Sequence, residues 1–200
     1  MRVILTRSSV RRFRQEPLPE EALRKVLEAG IRAPTASAAE QWFFVLATSE
    51  EVRLRLFELL IDAHVLYASQ VLRREVSKER IDRWRERLLE EKRYLAPAYI
   101  AAYVDLRERV CRDDYSELEF LWALQSVSAA IENMSLAAWG MGIGSVWLGV
   151  PLLMEERFNE VLGVREDGLR LAGILALGYP ASEPRLRGRK KGLEEVVKRV

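Results

Sequence analysis

The sequence has almost no cysteine and almost no histidine: Cys111 and His64 are the only residues of their kinds among 200. One cysteine cannot form an internal disulfide, and it supplies no CxxC pair for a metal or a dithiol redox centre. Cys111 is therefore interpreted as an incidental thiol, and no metal site is expected. His64 is expected to be a packed or surface residue of a helix rather than a general acid.

Long apolar runs are also missing. The longest lie near 97–104, 134–150 and 171–179, and each is too short or too interrupted by glycine to cross a bilayer as a helix. The first seven residues lack the longer apolar run and the small-residue cleavage site of a secretory signal. We therefore expect a cytoplasmic protein without a membrane-spanning segment.

The chain also lacks a large excess of charge of either sign. Lysine and arginine number 32 and the acidic residues 30, so the formal net charge is only +2. The chain as a whole is not an obvious binder of nucleic acid or another polyanion. Apolar residues make up 49% and charged residues 31%, which is a globular composition. No segment resembles a linker, so residues 1–200 are interpreted as one domain.

Helical and strand-like patterns alternate along the chain. Apolar residues recur at helical spacing from Pro19 to Gly30, and short aromatic or β-branched runs predict strands. This alternation fits an α+β or an α/β fold. In chain order, the predicted elements are helix 19–30, strand 42–47, a helical pattern from 49 to about 94, strand 98–104, helix 117–139, strand 144–149, helix 154–162 and strand 171–179.

Two basic segments could hold an anion. The run Arg7-Ser8-Ser9-Val10-Arg11-Arg12-Phe13 places guanidinium and hydroxyl groups within seven residues, and both groups form hydrogen bonds with phosphate. Residues 185–191 have the sequence RLRGRKK. Taken alone, these segments are better explained as a charged turn and a solvated basic tail.

Small residues are concentrated in two further segments. The run APTASAAEQ at 33–41 separates a predicted helix from a predicted strand, where small side chains would let a flat ligand approach the backbone. Residues 140–149 contain four glycines. A Rossmann fingerprint follows a strand and opens a helix, whereas these glycines follow a helix and open a strand. Dinucleotide binding in that mode is therefore disfavoured.

The order and spacing of these four segments closely resemble the FMN-dependent nitroreductase family. The segments that carry the resemblance are RSSVRRF, APTASAAEQWFFV, QSVSAAIENMSLAAWGMGIGSVWLG and LALGYPASEPRLRGR. The resemblance implies an α+β, nitroreductase-like fold with a central, mostly antiparallel sheet flanked by helices. It also implies a homodimer that binds FMN at its interface, with NADH or NADPH as electron donor.

The resemblance assigns a role to each matching residue. Arg7, Ser8 and Ser9 would contact the phosphate and ribityl chain of FMN, and Arg187 and Arg189 would close on the phosphate. Arg11 would lie near the N1 edge of the flavin, and the backbone of Leu148 and Gly149 would face the ring. The partner subunit would contribute Pro34, Thr35, Ala36 and Ser37.

The implied reaction needs neither a protein nucleophile nor a metal. The flavin would accept hydride at N5 from NAD(P)H and pass electrons to a small organic acceptor such as a nitroaromatic or a quinone, in ping-pong order. Tyr67 is a possible wall of the acceptor site. Glu40 stands where many relatives carry other polar residues. The resemblance does not decide which two of Arg185, Arg187 and Arg189 hold the phosphate.

Two alternatives remain. Residues 50–115 lack family motifs, so the chain could instead be an enoate reductase, a dehalogenase or a flavin-fragmenting enzyme on the same scaffold. It could also be a non-enzymatic, Arg-rich protein that binds a polyanion through 73–93 and 185–191. Against the second alternative, acidic residues interleave with the arginines of 73–93 and cancel much of their field.

Overall fold

A four-stranded antiparallel sheet forms the centre of the protein. The computed structural model describes residues 1–73, 76–184 and 191–200. The strands occur in the order β1-β2-β4-β3, and every neighbouring pair is antiparallel. The four predicted strands are confirmed, with ends that differ by no more than two residues. Their bounds are β1 Trp42–Ala47, β2 Ala98–Asp105, β3 Gly144–Leu148 and β4 Leu169–Gly178.

The helices precede, separate and connect these strands. The helices predicted at 19–30, 117–139 and 154–162 are confirmed, and the sequence pattern gave no separate signal for the short first helix. The α-helices of the described residues are α1 Arg2–Thr6, α2 Glu20–Gly30, α3 Glu50–Leu66, α4 Lys78–Glu90, α5 Ser116–Gly140 and α6 Glu155–Leu162.

The helical pattern from 49 to about 94 is divided into α3 and α4. A π-helical turn, Tyr67–Val71, follows α3 directly. Within this turn the Ser69 hydroxyl donates to the carbonyl of Val65 at 2.8 Å, and such a side chain competes with the regular backbone pattern. The predicted helical pattern thus corresponds to two helices, α3 and α4, with the π-helical turn after the first.

The central strand β2 separates two hydrophobic cores. Its side chains alternate between the two faces of the sheet: Tyr99, Ala101 and Tyr103 lie in one core, and Ile100 and Val104 lie in the other. Both faces are covered by helices, so β2 is buried along almost its entire length. This double burial explains why the segment is a continuous apolar run rather than an alternating one.

Helix α5 packs against α2 on one face of the sheet. Gly30 lies so close to Met134 that a Cβ atom at Gly30 would stand 2.9 Å from the Met134 Cγ. Gly142, with φ of 77°, then turns the chain from α5 into β3, a backbone conformation that glycine adopts without strain. The four-glycine segment is thus a helix end followed by a strand, as its pattern predicts.

Candidate functional site

A cavity of about 600 Å³ lies where the N-terminal segment, α3 and the end of β3 meet. We call it the Arg11 cavity. It brings Arg11 together with Leu148 and Gly149, which follow it in the sequence by 137 and 138 positions. Its other walls are formed by His64, Tyr67, Val71, Tyr94, Val146, Trp147, Val150, Leu152 and Leu153.

Backbone pairing fixes Arg11 at this cavity. The preceding residue, Val10, donates its N–H to the carbonyl of Ser145 in β3 at 2.9 Å. The carbonyl of Arg11 accepts from the N–H of Tyr94 at 2.9 Å, and its Nη1 donates to the carbonyl of Ser9 at 3.3 Å. The N-terminal segment thus covers the edge of β3, and Arg11, which is partly buried as a residue, lines the cavity.

The end of β3 supplies an apolar wall and an open backbone position. Leu148 is buried, whereas Gly149 is exposed. A Cβ atom at Gly149 would meet no atom within 4 Å, so nothing in the chain crowds its backbone. A flat ligand in the Arg11 cavity can therefore approach the backbone at Gly149 closely.

His64 belongs to the cavity wall, which the sequence analysis did not anticipate. Its imidazole stacks on the ring of Tyr94, with 4.4 Å between the ring centroids and 16° between the planes. Burial lowers the pKa of His64, and the nearby charges of Arg93 and Arg11 lower it further, while a hydrogen bond to the Leu60 carbonyl opposes them. A signal was available: His64 and Tyr67 are three residues apart, hence on one face of a helix.

The predicted phosphate residues of the N-terminal segment lie outside this cavity wall. Arg7 follows α1 and its Nε is 3.4 Å from a carboxylate oxygen of Glu132 on α5. Ser8 is half-buried and Ser9 is exposed. The other predicted phosphate residues, Arg187 and Arg189, lie outside the described residues.

The predicted partner segment also lies apart from the Arg11 cavity. Pro34 and Ser37 are exposed, and Ala36 donates its N–H to the hydroxyl of Ser126 on α5 at 3.3 Å. Thr35 is half-buried, and its hydroxyl accepts from the N–H of Glu40 at 2.9 Å. Within one chain, therefore, Pro34 to Ser37 do not line the cavity that holds Arg11.

The backbone around this segment is unusual. Ser37, Ala38 and Glu40 have φ values of 52°, 53° and 49°, which side-chain-bearing residues adopt only rarely. Glu40 is exposed, and no ion pair of Glu40 occurs within the part of the chain that the structure describes. In particular, Glu40 makes no ion pair with Arg11 among the described residues.

Neither a metal centre nor a membrane span appears in residues 1–73, 76–184 and 191–200. No group of three or more His, Cys, Asp or Glu side chains there could hold a metal ion. None of the described helices combines the length and the apolar character that crossing a membrane requires.

Comparison with known proteins points consistently to one family. Residues 4–179 match the sequence model of the Nitroreductase family. A candidate NAD(P)H nitroreductase of Bacillus subtilis is 27% identical, over 94% of this chain and 87% of that protein. The NADPH-flavin oxidoreductase of Vibrio harveyi is 26% identical, over 93% of this chain and 68% of that protein.

The solved structures agree on the fold. A nitroreductase with bound FMN from Bacteroides fragilis has a TM-score of 0.70 to this chain at 24% identity. The match covers 100% of this chain and 97% of the other. The predicted α+β fold with its antiparallel sheet is thereby confirmed.

Proposed function

The chain belongs to the nitroreductase family, and from that premise we propose that it is an NAD(P)H-dependent FMN oxidoreductase acting on a small organic acceptor. The main support for this proposal is the Arg11 cavity, which has a volume of about 600 Å³. Arg11, Leu148 and Gly149 are all expected at the flavin, and all three line this one cavity. That volume lies within the range of about 300–1,000 Å³ typical of small-molecule sites.

The residues of the Arg11 cavity fit FMN. Open space at Gly149 admits a flat ring, the buried Leu148 supplies an apolar wall, and Arg11 supplies a cation. Bound FMN supplies two-electron transfer between a nicotinamide donor and an organic acceptor.

Arg11 holds a positive charge beside the reacting ring. Its guanidinium donates a hydrogen bond to the Ser9 carbonyl at 3.3 Å, and the backbone of Arg11 is paired with Tyr94, so the cation is already held near the cavity before negative charge develops there. A preorganised cation in a partly desolvated site stabilises such charge more than it stabilises a neutral ring. We assign Arg11 to the N1 edge of FMN on this basis.

We assign the phosphate of FMN to Arg7, Ser8 and Ser9, with Arg187 and Arg189 closing on it. Arg7 directly precedes the segment that is paired with β3, so the two assignments follow one continuous stretch of backbone. The ion pair of Arg7 with the half-exposed Glu132 spans 3.4 Å. Such a pair contributes little, about 0–1 kcal/mol, and a dianionic phosphate can compete for the guanidinium.

The second subunit is assigned Pro34, Thr35, Ala36 and Ser37. A homodimer is supported by exposed apolar side chains on α1 and α5. On α1, Ile4 and Leu5 are exposed, and the same holds for Leu118, Leu121 and Trp122 on α5. An apolar surface of this kind marks an interaction site. At the C-terminus Leu193, Val196 and Val197 are exposed as well.

The acceptor is proposed to be a nitroaromatic or a quinone, reduced in ping-pong order. The mouth of the Arg11 cavity carries exposed apolar side chains that suit a planar aromatic compound: Tyr67, Val71, Trp147, Leu152 and Leu153. Because the donor and the acceptor both need the same face of the ring, the first must leave before the second binds.

The test is the identity of the bound chromophore. The purified protein should be yellow, release one FMN per chain on denaturation, and oxidise NADH or NADPH faster when menadione or a nitroaromatic is added. Chromatography of the released flavin separates FMN from FAD. A colourless chain that cannot be reconstituted with FMN would overturn the proposal.

Assembly is tested separately. Sedimentation of the holoprotein should give a dimer, and dilution to the monomer should release FMN, because each site needs two chains. A monomer that retains its flavin contradicts the assignment of Pro34 to Ser37.

A further inference from the structure

A second cavity of about 590 Å³ lies beside the Arg11 cavity, on the α4 side of α3. We call it the Trp84 cavity. Its lining is mostly apolar or aromatic, with Ala68, Leu72, Val76, Ile81 and Trp84, and its charged member is Arg80. A space with this lining favours a flat apolar group.

His64 and Tyr67 form a wall that the two cavities share. Both lie at the C-terminal end of α3 and the start of the π-helical turn. A ligand that occupied both cavities would therefore contact these two side chains.

The hydrogen bond of His64 fixes which ring nitrogen carries the proton. Nδ1 lies 2.7 Å from the Leu60 carbonyl oxygen, and because a carbonyl can only accept, Nδ1 must donate. In the neutral imidazole Nε2 is then without a proton. Stacking on Tyr94 holds the ring in this orientation.

The free nitrogen of His64 is accessible. Within the described residues, Nε2 makes no hydrogen bond, and Arg53 Nε is the one side-chain nitrogen or oxygen that is both fully buried and unpartnered. His64 as a whole is only partly buried, so its side chain is not sealed in the core. Its Nε2 is a hydrogen-bond acceptor at the wall between two cavities.

The surroundings keep this acceptor uncharged. Burial opposes the imidazolium form, and the positive charges of Arg93 and Arg11 oppose it further. Among the described residues, no carboxylate lines either cavity. The neutral tautomer is thus the form that a ligand meets at neutral pH.

We propose that the Trp84 cavity binds an aromatic portion of the acceptor substrate, and that Nε2 of His64 accepts a hydrogen bond from a hydroxyl or amino group of that acceptor. The inference rests on the proposed function, since it specifies the acceptor of the same site. The substrate class is a two-part aromatic compound: a reducible group in the Arg11 cavity and a donor-bearing apolar ring beyond it.

The first test compares two neutral probes of nearly equal shape, a nitronaphthalene bearing a hydroxymethyl group and its methyl ether. Binding to the oxidised holoprotein is measured by calorimetry without an electron donor. The alcohol should bind about three- to tenfold more tightly, the difference expected of one hydrogen bond. Equal affinities would overturn the role of His64.

Two variants locate the effect. His64→Phe keeps a ring on Tyr94 but removes the acceptor, so the affinity ratio of alcohol to ether should fall to about one. Leu72→Trp fills the Trp84 cavity without touching the Arg11 cavity, and should weaken both probes at least fivefold while nitrobenzene binds as before. Retention of the ratio in His64→Phe, or unchanged affinities in Leu72→Trp, refutes the proposal.

The controls separate this proposal from the one on which it rests. Leu54→Trp adds the same bulk at an exposed position of α3 that lines neither cavity, and it should bind both probes as the wild type does. FMN content and NAD(P)H oxidation are measured on every preparation. If FMN content and NAD(P)H oxidation are normal but the alcohol and the ether bind equally, only the acceptor assignment is contradicted. If the protein lacks FMN, the proposed function itself is contradicted.

Discussion

Glu119 accepts a hydrogen bond from Nε of Arg109 at 2.9 Å, although the Glu119 side chain is only 1% exposed. The same carboxylate accepts from Gln41 Nε2 at 2.9 Å and from the N–H groups of Val110 and Cys111 at 2.7 and 3.3 Å. These contacts fasten the connection between β2 and α5 to the first turns of α5. A single buried charge thus positions the helix that carries the proposed dimer surface.

Glu119→Gln should destabilise the protein by about 2–4 kcal/mol. The amide keeps the volume but turns an NH₂ group toward donors that need an acceptor, and breaking a buried ion pair in this way is costly. Urea unfolding measures the loss. Glu117→Gln, an exposed substitution two residues earlier, should change stability by less than about 0.5 kcal/mol. Equal effects would contradict the role of the Glu119 contacts.

The same residue predicts acid sensitivity. Burial by itself would raise the pKa of Glu119, but the hydrogen bonds from Val110, Gln41, Arg109 and Cys111 outweigh it and lower the pKa to about 2. Since the folded pKa is below the unfolded one, the unfolded chain binds more protons as the pH falls. Stability from Glu119 is complete above about pH 4.5 and is lost as the pH falls towards about 2.

The measurement for this prediction is unfolding as a function of pH. Other carboxylates also titrate in this window, so the difference between wild type and Glu119→Gln isolates the Glu119 contribution. That difference should shrink as the pH falls from about 4.5. A constant difference would show that Glu119 does not carry its charge in the folded protein.

His64 should titrate below its ordinary pKa of about 6.5. Burial is the main cause, and Arg93 and Arg11 add to it. The other titratable or charged groups that line its two cavities are Tyr67, Tyr94 and Arg80. Because the folded pKa is lowered, its contribution to stability is complete above about pH 6.5 and is lost as the pH falls.

The chain contains a single histidine, so the NMR signal of its imidazole carbons and protons needs no assignment among several. A titration by NMR gives the pKa directly, and the ¹⁵N shifts report whether Nδ1 carries the proton. Arg93→Gln should move the pKa upward. A pKa at or above 6.5, or a proton on Nε2, would remove the acceptor role of His64.

Much of the fold follows from local sequence, whereas the site follows from it only in part. The apolar runs at 42–47, 98–104 and 171–179 lie in the sheet because β-branched and aromatic side chains suit strands. The end of α3 at Leu66 was not predicted, because the residues of the π-helical turn, Tyr67–Val71, continue the helical pattern of the sequence. Local periodicity does not show where one helix ends and the next begins.

Local sequence also says little about individual side chains. Arg11 and Gly149, which line the cavity, were selected from a motif pattern that spans the chain. The roles of His64 and Glu119 depend on tertiary partners, Tyr94 in one case and Arg109 in the other. A lone histidine and one glutamate among many acidic residues give no sequence signal of burial.

Gly144 in β3 and Gly149, the residue after β3, should respond differently to one added methyl group. At Gly149 a Cβ meets nothing within 4 Å and φ is −94°, so Gly149→Ala should fold with unchanged or slightly higher stability. The methyl group projects beside the Arg11 cavity, so FMN affinity should fall. At Gly144 a Cβ would lie 2.6 Å from the Val10 Cγ2, and Gly144→Ala should lose about 1–3 kcal/mol.

Thermal unfolding of the apoproteins and FMN titration distinguish these two outcomes. Gly149→Ala should show a normal melting temperature with weaker FMN binding, and Gly144→Ala a lowered melting temperature. Normal FMN affinity in a folded Gly149→Ala protein would place the flavin elsewhere.

Arg7 and Arg11 should differ in which property of bound FMN they control. Arg7 does not line the Arg11 cavity, and it pairs with Glu132. Its assigned partner, the phosphate, has the same charge in oxidised and reduced FMN. Arg7→Ala should therefore weaken FMN binding and leave the reduction potential almost unchanged. Glu132→Gln removes the ion pair but keeps the guanidinium, and should retain or increase FMN affinity.

Arg11 lines the cavity itself, and a cation at its assigned position would interact more strongly with a reduced, anionic ring than with a neutral one. A charge-assisted contact of about 1.5–3 kcal/mol acting on one state displaces a two-electron couple by roughly 30–60 mV, at about 30 mV per 1.4 kcal/mol. Arg11→Ala should lower the potential by this amount and slow reduction by NAD(P)H. The potentials are measured with FMN saturating. If Arg7→Ala shifts the potential and Arg11→Ala does not, the two assignments must be exchanged, because only a group near the ring can distinguish its redox states.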